Sequence, residues 1–153
     1  MNPAIQPAAK SATLPLSHAR SRLAAQWLIG AGVIFALLIV QCVFGKYQNK
    51  AQAVWSWALP ALMPTLTLII SVLGANALEP ADEDVQVRKS FYRISCWLSA
   101  AYLVLILFTI LIEPFTSFDS VELLNLSNLW LGPFQGFVVS MIGLLFFTKK
   151  KAA

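Results

Sequence analysis

The sequence has little charge. Asp, Glu, Lys and Arg make up 12% of its 153 residues, about half of the share that is usual in soluble proteins. No Asp, Lys, Arg or His lies in the central half of any of its long apolar segments. Proton and ion pathways through membranes are usually built on such side chains. Their absence from these segments disfavours a proton- or ion-coupled transporter.

Histidine and cysteine are also scarce. His18 is the only histidine, and Cys42 and Cys96 are the only cysteines, with no C-x-x-C pair. One histidine outside the apolar segments excludes a haem with two axial histidines, a zinc site and Ser–His catalysis. Two cysteines do not make a disulfide-stapled secreted domain. We therefore predict a protein that is not an enzyme, with no catalytic, cofactor-binding or metal-binding residues and no cofactor.

Apolar residues, by contrast, are abundant. They make up 58% of the chain, and the mean hydropathy is +0.71, which is more apolar surface than a small soluble domain can bury. They form four segments, each long enough as a helix to cross a hydrocarbon layer of about 30 Å, and none alternates as a membrane β-strand does. We predict an all-α integral membrane protein, in which residues 23–148 form a four-helix transmembrane bundle with spans at about 25–45, 55–78, 92–113 and 127–148.

The two ends of the chain differ from the bundle in composition. Residues 1–22 are rich in Ala, Pro and Ser, and Pro3, Pro7 and Pro15 are spaced so that no long helix forms. This composition predicts a disordered cytoplasmic tail, and residues 149–153 are predicted to be a basic cytoplasmic end. A mitochondrial presequence is similarly poor in acids. The mitochondrial inner membrane is therefore the alternative to our preferred location, the inner (plasma) membrane of a bacterium.

The orientation is predicted from the distribution of Lys and Arg. Nine of these residues lie in the N-terminal tail, the connection 79–93 and the C-terminal end, whereas two, Lys46 and Lys50, lie in the other connections. Cytoplasmic segments carry an excess of Lys and Arg, so both termini are predicted to be cytoplasmic. The net charge of +4 comes from residues that flank the spans and form no basic–aromatic surface. We therefore expect lipid, and not nucleic acid, as a partner.

The connection 114–127 contains a signal for the start of a helix. Asp119 and Glu122 have the spacing of a capping box ahead of Leu123 and Leu124. We therefore expect a brief interfacial helix within this connection.

The fourth span carries a row of small residues. Gly132, Gly136 and Ser140 are spaced four residues apart, and Gly143 lies one turn further. Such a row, which includes a G-x-x-x-G motif, lets another helix approach closely. We interpret it as a helix-packing face. The sequence does not decide between an internal helix and another subunit, and we favour internal packing.

The second span contains two prolines, Pro60 and Pro64. Because proline has no backbone N–H, the carbonyls of Ser56 and Pro60 lose their usual partners and a kink is expected. Gln41, Thr65 and Gln135 are predicted to lie near this kink and to form a small polar vestibule with the two prolines. Hydrogen bonds between helices are the simpler interpretation of the same polar residues, and we favour it.

Two functions remain open at this point. The first is a non-enzymatic scaffold, anchor or accessory subunit that acts through helix–helix packing, with a membrane protein or a second copy of the chain as partner. The alternative is an oligomeric pore or small-solute transporter built around Pro60 and Pro64. We favour the scaffold, because functional sites within membranes usually contain ionisable residues and none is central in these spans.

Overall fold

A computed structural model describes residues 13–78 and 86–147 of the chain. It confirms the predicted helical bundle, which contains four helices that are long and apolar enough to cross a membrane. These helices are α1 (Leu16–Val43), α2 (Ala51–Leu78), α3 (Lys89–Ile112) and α4 (Ser120–Phe147). The remaining predicted segments, residues 1–12, 79–85 and 148–153, lie outside the described residues.

A two-stranded antiparallel sheet lies at one end of the bundle. Strand β1 (Thr13–Pro15) directly precedes α1, and strand β2 (Gln86–Arg88) directly precedes α3. Leu14 pairs with Val87 at the centre of the sheet. The sheet was not predicted, because a strand of three residues is too short to give a periodic signal in the sequence. It ties together the starts of two helices that are distant in the sequence.

The order of the helices around the bundle follows from their contacts. α4 packs against α3 and α2, while α1 packs against α3 and α2. The connections 44–50 and 113–119 meet at the same end of the bundle, where Lys46 forms an ion pair with Glu113. We call this the loop end. The opposite end carries the sheet together with Arg20, Arg22, Arg88, Lys89 and Arg93, and we call it the basic end.

The interior of the bundle is apolar and aromatic. Trp27 and Tyr102 lie at its centre with ring centroids 6.0 Å apart, and Phe134 stacks on Tyr102 at 5.9 Å. Large side chains from all four helices are fully buried around them, among them Leu38, Leu62, Ile69, Ile106, Leu131 and Ile142. These buried contacts hold the four helices together.

Each helix also directs large apolar side chains away from the bundle. Trp97 is 76% exposed and Ile29 is 68% exposed. Further outward-facing residues are Ile70, Val104, Phe137 and Leu144. Exposed apolar surface on this scale is typical of a protein that contacts a membrane or a partner.

Helix α1 begins well before the predicted start of the first span. The sequence predicted a disordered tail to residue 22, but residues 13–22 form β1 and roughly the first two turns of α1. Three apolar residues at helical spacing, Leu16, Ala19 and Leu23, are buried here. Pro15 does not prevent the helix, since a proline is tolerated where a helix starts. Residues 13–22 are therefore not part of a disordered tail.

Helix α4 also begins earlier than predicted, at Ser120 and not near residue 127. The Asp119 carboxylate accepts a hydrogen bond from the backbone N–H of Val121 at 3.3 Å. This contact is the helix cap that the spacing of Asp119 predicted. The expected interfacial helix is therefore the first part of α4 itself, and the helix continues without a break into the apolar segment.

Candidate functional site

The small-residue face of α4, formed by Gly132, Gly136, Ser140 and Gly143, points away from the bundle. Gly132, Gly136 and Ser140 are exposed, and Gly143 is half-buried. A Cβ atom added to any of these glycines would meet nothing within 4 Å. At about 100° per residue, the face lies opposite the buried Leu131, Val138 and Ile142. Our expectation of internal packing was wrong, because the core contacts of α4 are made by its larger residues.

The hydroxyl of Ser140 does not disturb this face. It donates to the carbonyl oxygen of Gly136 at 2.8 Å, so it needs no partner from outside. The result is a nearly flat surface of small side chains and glycine backbone, between apolar neighbours such as Phe137 and Leu144. A surface of this kind lets a second helix approach closely in a membrane.

The close helix contact inside the bundle uses a different glycine, Gly30 on α1. A Cβ atom at this position would lie 2.6 Å from Cδ1 of Leu103 on α3. Gly32, two residues further on, has open space instead. Its spacing does not single out Gly30, because the residues four positions away, Gln26 and Ile34, are not small, whereas Gly32 is followed by Ala36 at that distance. The two glycines differ because the rotation of α1 about its axis turns Gly30, and not Gly32, toward α3.

The second helix runs from Ala51 to Leu78 through both prolines. The carbonyl oxygen of Pro60, which has no partner at Pro64, accepts a hydrogen bond from Nε2 of Gln135 on α4 at 2.8 Å. The same nitrogen lies 3.1 Å from the carbonyl oxygen of Ala61. The structure therefore brings Gln135 to the proline segment, where its amide supplies the donor that proline lacks.

Tyr102 completes this group of contacts, which we call the Gln135 cluster (Pro60, Ala61, Tyr102 and Gln135). Its hydroxyl donates to the carbonyl of Ala61 at 2.9 Å, and its side chain is fully buried. The sequence analysis missed it, although a tyrosine in the middle of an apolar span needs a partner for its hydroxyl. Thr65, one turn along from Ala61, is fully buried, and its hydroxyl has no partner among the described residues.

Gln41 does not join the Gln135 cluster. Its Oε1 accepts a hydrogen bond of 2.6 Å from the hydroxyl of Tyr47 at the loop end. Burial raises the pKa of Tyr47 to about 12, with the negative charge of Glu113 as a smaller cause. The hydroxyl is therefore protonated at neutral pH and acts as a donor. The structure thus separates the predicted vestibule residues into two groups, and both prolines themselves lie on the exposed side of α2.

The loop end is held by two ion pairs. Lys46 Nζ lies 2.6 Å from Oε2 of Glu113, and Ser120 donates to the other oxygen of that carboxylate. Lys50 pairs with Asp119, and this hydrogen bond lowers the pKa of the Asp119 carboxyl. Both lysines that the sequence assigned to the outer side therefore have an acidic partner. The two connections at this end are joined to each other by these contacts.

At the basic end, Arg20 is a buried structural residue. Its Nη2 donates to the carbonyl of Phe146 at 2.6 Å, and its Nε donates to the carbonyl of Leu145 at 3.3 Å. The last carbonyls of a helix have no partner within the helix, and a cation there is favoured by the helix dipole. Arg20 therefore caps α4. The sequence showed it only as one of the basic residues that set the orientation.

The described residues contain no group of three or more His, Cys, Asp or Glu side chains that could hold a metal ion. Cys42 and Cys96 are both free thiols, on α1 and α3 respectively. No protein-family model, no curated protein and no solved structure matches this chain. Its function is therefore inferred from the surfaces and contacts described above.

Proposed function

We propose that this protein is a non-enzymatic membrane scaffold, anchor or accessory subunit, and that it associates with a second copy of itself through the small-residue face of α4. The observation that carries the proposal is the direction of this face. Its glycines have open space where a side chain would be, and they point away from the core. In a helix that crosses a membrane, this arrangement exposes backbone to a neighbouring helix or to lipid.

A second copy is the partner that fits this face best. The face carries no charge that would select a different sequence, and its regular four-residue spacing makes it complementary to itself about a two-fold axis. Two copies inserted in the same orientation bring their α4 helices together in parallel. This is the geometry in which G-x-x-x-G helices form right-handed pairs.

The proposed location is the inner membrane of a bacterium, with both termini cytoplasmic, and the mitochondrial inner membrane is the alternative. Support comes from the distribution of charge. The segments proposed to be cytoplasmic carry nine Lys and Arg residues and four acids, whereas the loop end carries two lysines and three acids. Resistance of the protein to extraction from membranes by alkaline carbonate tests the location. Recovery in the soluble fraction would contradict it.

The association is tested by substitution on the face. We expect Gly136→Leu to raise the dissociation constant of the dimer about tenfold, equal to about 1.4 kcal/mol, because the leucine separates the two backbones. Gly74→Leu is the matched control, since Gly74 on α2 is also exposed with open space around it. Fluorescence energy transfer between labelled copies in lipid vesicles measures the dissociation constant of each variant. Equal effects of the two substitutions would contradict the assignment of the face.

The orientation of the pair is tested by disulfide cross-linking. In a background with Cys42→Ser and Cys96→Ser, a cysteine placed by Ser140→Cys should form a disulfide between two copies under oxidation. Phe137→Cys is the control, because residue 137 is exposed but lies about 100° around the helix from the centre of the face. Cross-linking at 137 and not at 140 would overturn the proposed interface.

The alternative is an oligomeric pore or small-solute transporter built around Pro60 and Pro64. Two observations support it: the Thr65 hydroxyl is buried without a described partner, and the Pro60 carbonyl is bonded to a side chain of another helix, which a polar solute can replace. Flux of ions and small solutes into vesicles containing the purified protein tests it. No flux at any potential or pH, with the same result for Pro64→Ala, would reject the pore.

A further inference from the structure

A cavity of about 250 Å³ opens at the basic end of the bundle. It lies between α1, α3 and strand β1, and its described lining residues are Leu14, Pro15, His18, Ala19, Arg22 and Tyr92. It is separate from the small-residue face and from the Gln135 cluster. The contacts that hold the bundle together do not account for this cavity.

One side of the cavity carries hydrogen-bond donors. His18 and Arg22 are four residues apart on α1 and therefore face the same direction. Tyr92 on α3 lines the same cavity, and its hydroxyl interacts with the Cys96 thiol and with the Arg22 guanidinium. Arginine binds phosphate through two parallel hydrogen bonds, and an imidazole or phenol adds a single one. These three side chains together suit an anionic phosphate group.

The rest of the lining is apolar. Leu14, Pro15 and Ala19 form a wall next to the donors. A free phosphate ion is fully hydrated and gains nothing from such a wall, whereas the glycerol and first methylene groups of a lipid do. The cavity therefore fits an amphiphilic molecule with a phosphate at one end.

The charged groups closest to the cavity agree with an anionic ligand. Arg22 lines the cavity, and all acids among the described residues, Glu113, Asp119 and Glu122, lie at the loop end; the four acids of the connection 79–85 lie outside the described residues. The cavity also lies just beyond the exposed apolar residues Leu28 and Ile29 of α1, which is the level of the headgroups if α1 crosses a bilayer. Basic pockets at this level bind anionic lipid headgroups.

We propose that this cavity binds one anionic phospholipid, with its phosphate on Arg22, His18 and Tyr92 and its glycerol end against Leu14, Pro15 and Ala19. This inference rests on the proposed membrane location but not on the α4 interface. Alkaline extraction tests the location by itself, so the two proposals can fail separately.

Binding is measured on the full chain in detergent by native mass spectrometry, with phosphatidylglycerol and phosphatidylcholine as probes. We expect one phosphatidylglycerol to bind at least several-fold more tightly than phosphatidylcholine. Arg22→Gln should weaken phosphatidylglycerol binding about tenfold, which corresponds to the loss of one charge-assisted contact. Tyr92→Phe, which changes no charge, should weaken it about threefold through the loss of one hydroxyl donor.

Arg93→Gln is the matched control, because Arg93 is an exposed basic residue of the same end that does not line the cavity. It should change binding less than twofold if the cavity, and not the general charge, holds the lipid. Equal losses for Arg22→Gln and Arg93→Gln, or no preference between the two lipids, would overturn the proposal. Displacement of the lipid by an equal concentration of inorganic phosphate would show a site for free phosphate and would also overturn it.

Discussion

At the scale of single residues, several long polar side chains of this bundle bond to backbone carbonyls of other helices. Arg20 bonds to the end of α4, and Tyr102 and Gln135 bond to the proline segment of α2. Carbonyls at a helix end or ahead of a proline lack their usual partner. Arg20 and Gln135 supply the missing donors at the end of α4 and at Pro60, so these carbonyls are satisfied without a charge in the centre of the bundle.

The contact between Gln135 and Pro60 is tested by a double-mutant cycle. Gln135→Ala should lower the free energy of unfolding by about 1 kcal/mol, because the Pro60 carbonyl loses its donor. In a Pro64→Ala background, the new backbone N–H at residue 64 donates to the Pro60 carbonyl. Gln135→Ala should therefore lower the free energy of unfolding by less in this background. Unfolding in mixed micelles, followed by tryptophan fluorescence, measures the four proteins. Equal costs in both backgrounds would show that Gln135 does not compensate for proline.

The ion pair of Asp119 gives a pH dependence at the loop end. Its pKa is lowered in the folded protein, first of all by the hydrogen bond from Lys50. The pair therefore stabilises the fold above the ordinary pKa of Asp, about 4, and this stabilisation is lost as the pH falls through the lowered folded value. The free energy of unfolding, measured from pH 7 to 3, should decline less in Asp119→Asn than in the unchanged protein. Identical acid profiles would contradict this role.

At the scale of elements, the apolar segments were predictable and the helix ends were only partly so. Hydropathy and length identify the four helices because any apolar segment long enough to cross lipid must be helical. The start of α4 is marked by a local cap at Asp119, which the sequence signals. The start of α1 is stabilised by contacts with distant parts of the chain, such as the bond from the buried Arg20 to Phe146, which the local sequence does not show. Likewise, the small residues of α4 were recognisable, but the direction they face depends on the packing of Leu131 and Val138.

The contact of α1 with α3 at Gly30 is the tightest glycine approach among the described residues, and it makes a prediction for this pair of helices. Gly30→Ala should have a free energy of unfolding about 1 kcal/mol lower than Gly32→Ala, because the end of the Leu103 side chain must move from its packed position. Gly32→Ala is the control, and it should be neutral or slightly stabilising, since alanine favours a helix over glycine. Thermal unfolding in detergent measures both.

A double variant separates the effect of crowding at Leu103 from other effects of the alanine at residue 30. Combining Gly30→Ala with Leu103→Ala removes the side chain that the new methyl group meets. The double variant should then be less destabilised than the sum of the two single ones. Additive losses would mean that Leu103 moves aside without cost.

At the scale of the whole molecule, the two ends of the bundle differ in charge and in how that charge is used. The loop-end lysines are both paired with acids, whereas the described part of the basic end has no acid. Pairing leaves the loop end with no excess positive charge. Over the whole sequence the loop end carries two lysines and three acids, and the other charged segments carry nine Lys and Arg residues and four acids. The asymmetry that the sequence showed by counting Lys and Arg is therefore retained when the acids are counted.

This asymmetry makes a prediction about topology. Reporter domains fused after Lys50, after Lys89 and after Lys151 should read outside, inside and inside, because positively charged segments stay in the cytoplasm. Alkaline phosphatase, active only outside, and green fluorescent protein, fluorescent inside, give opposite signals at each point. A cytoplasmic signal at Lys50 would overturn the proposed orientation.

The cap that Arg20 places on α4 also has a consequence for biosynthesis. Arg20 is made before its acceptors, which lie 125 and 126 residues further along the chain on Leu145 and Phe146. Until translation reaches them, the guanidinium lacks these two acceptors. A chain cut short before residue 145 would lack them permanently. The contact thus distinguishes copies that contain the end of α4 from copies that lack it, and we expect the latter to be more accessible to a membrane protease.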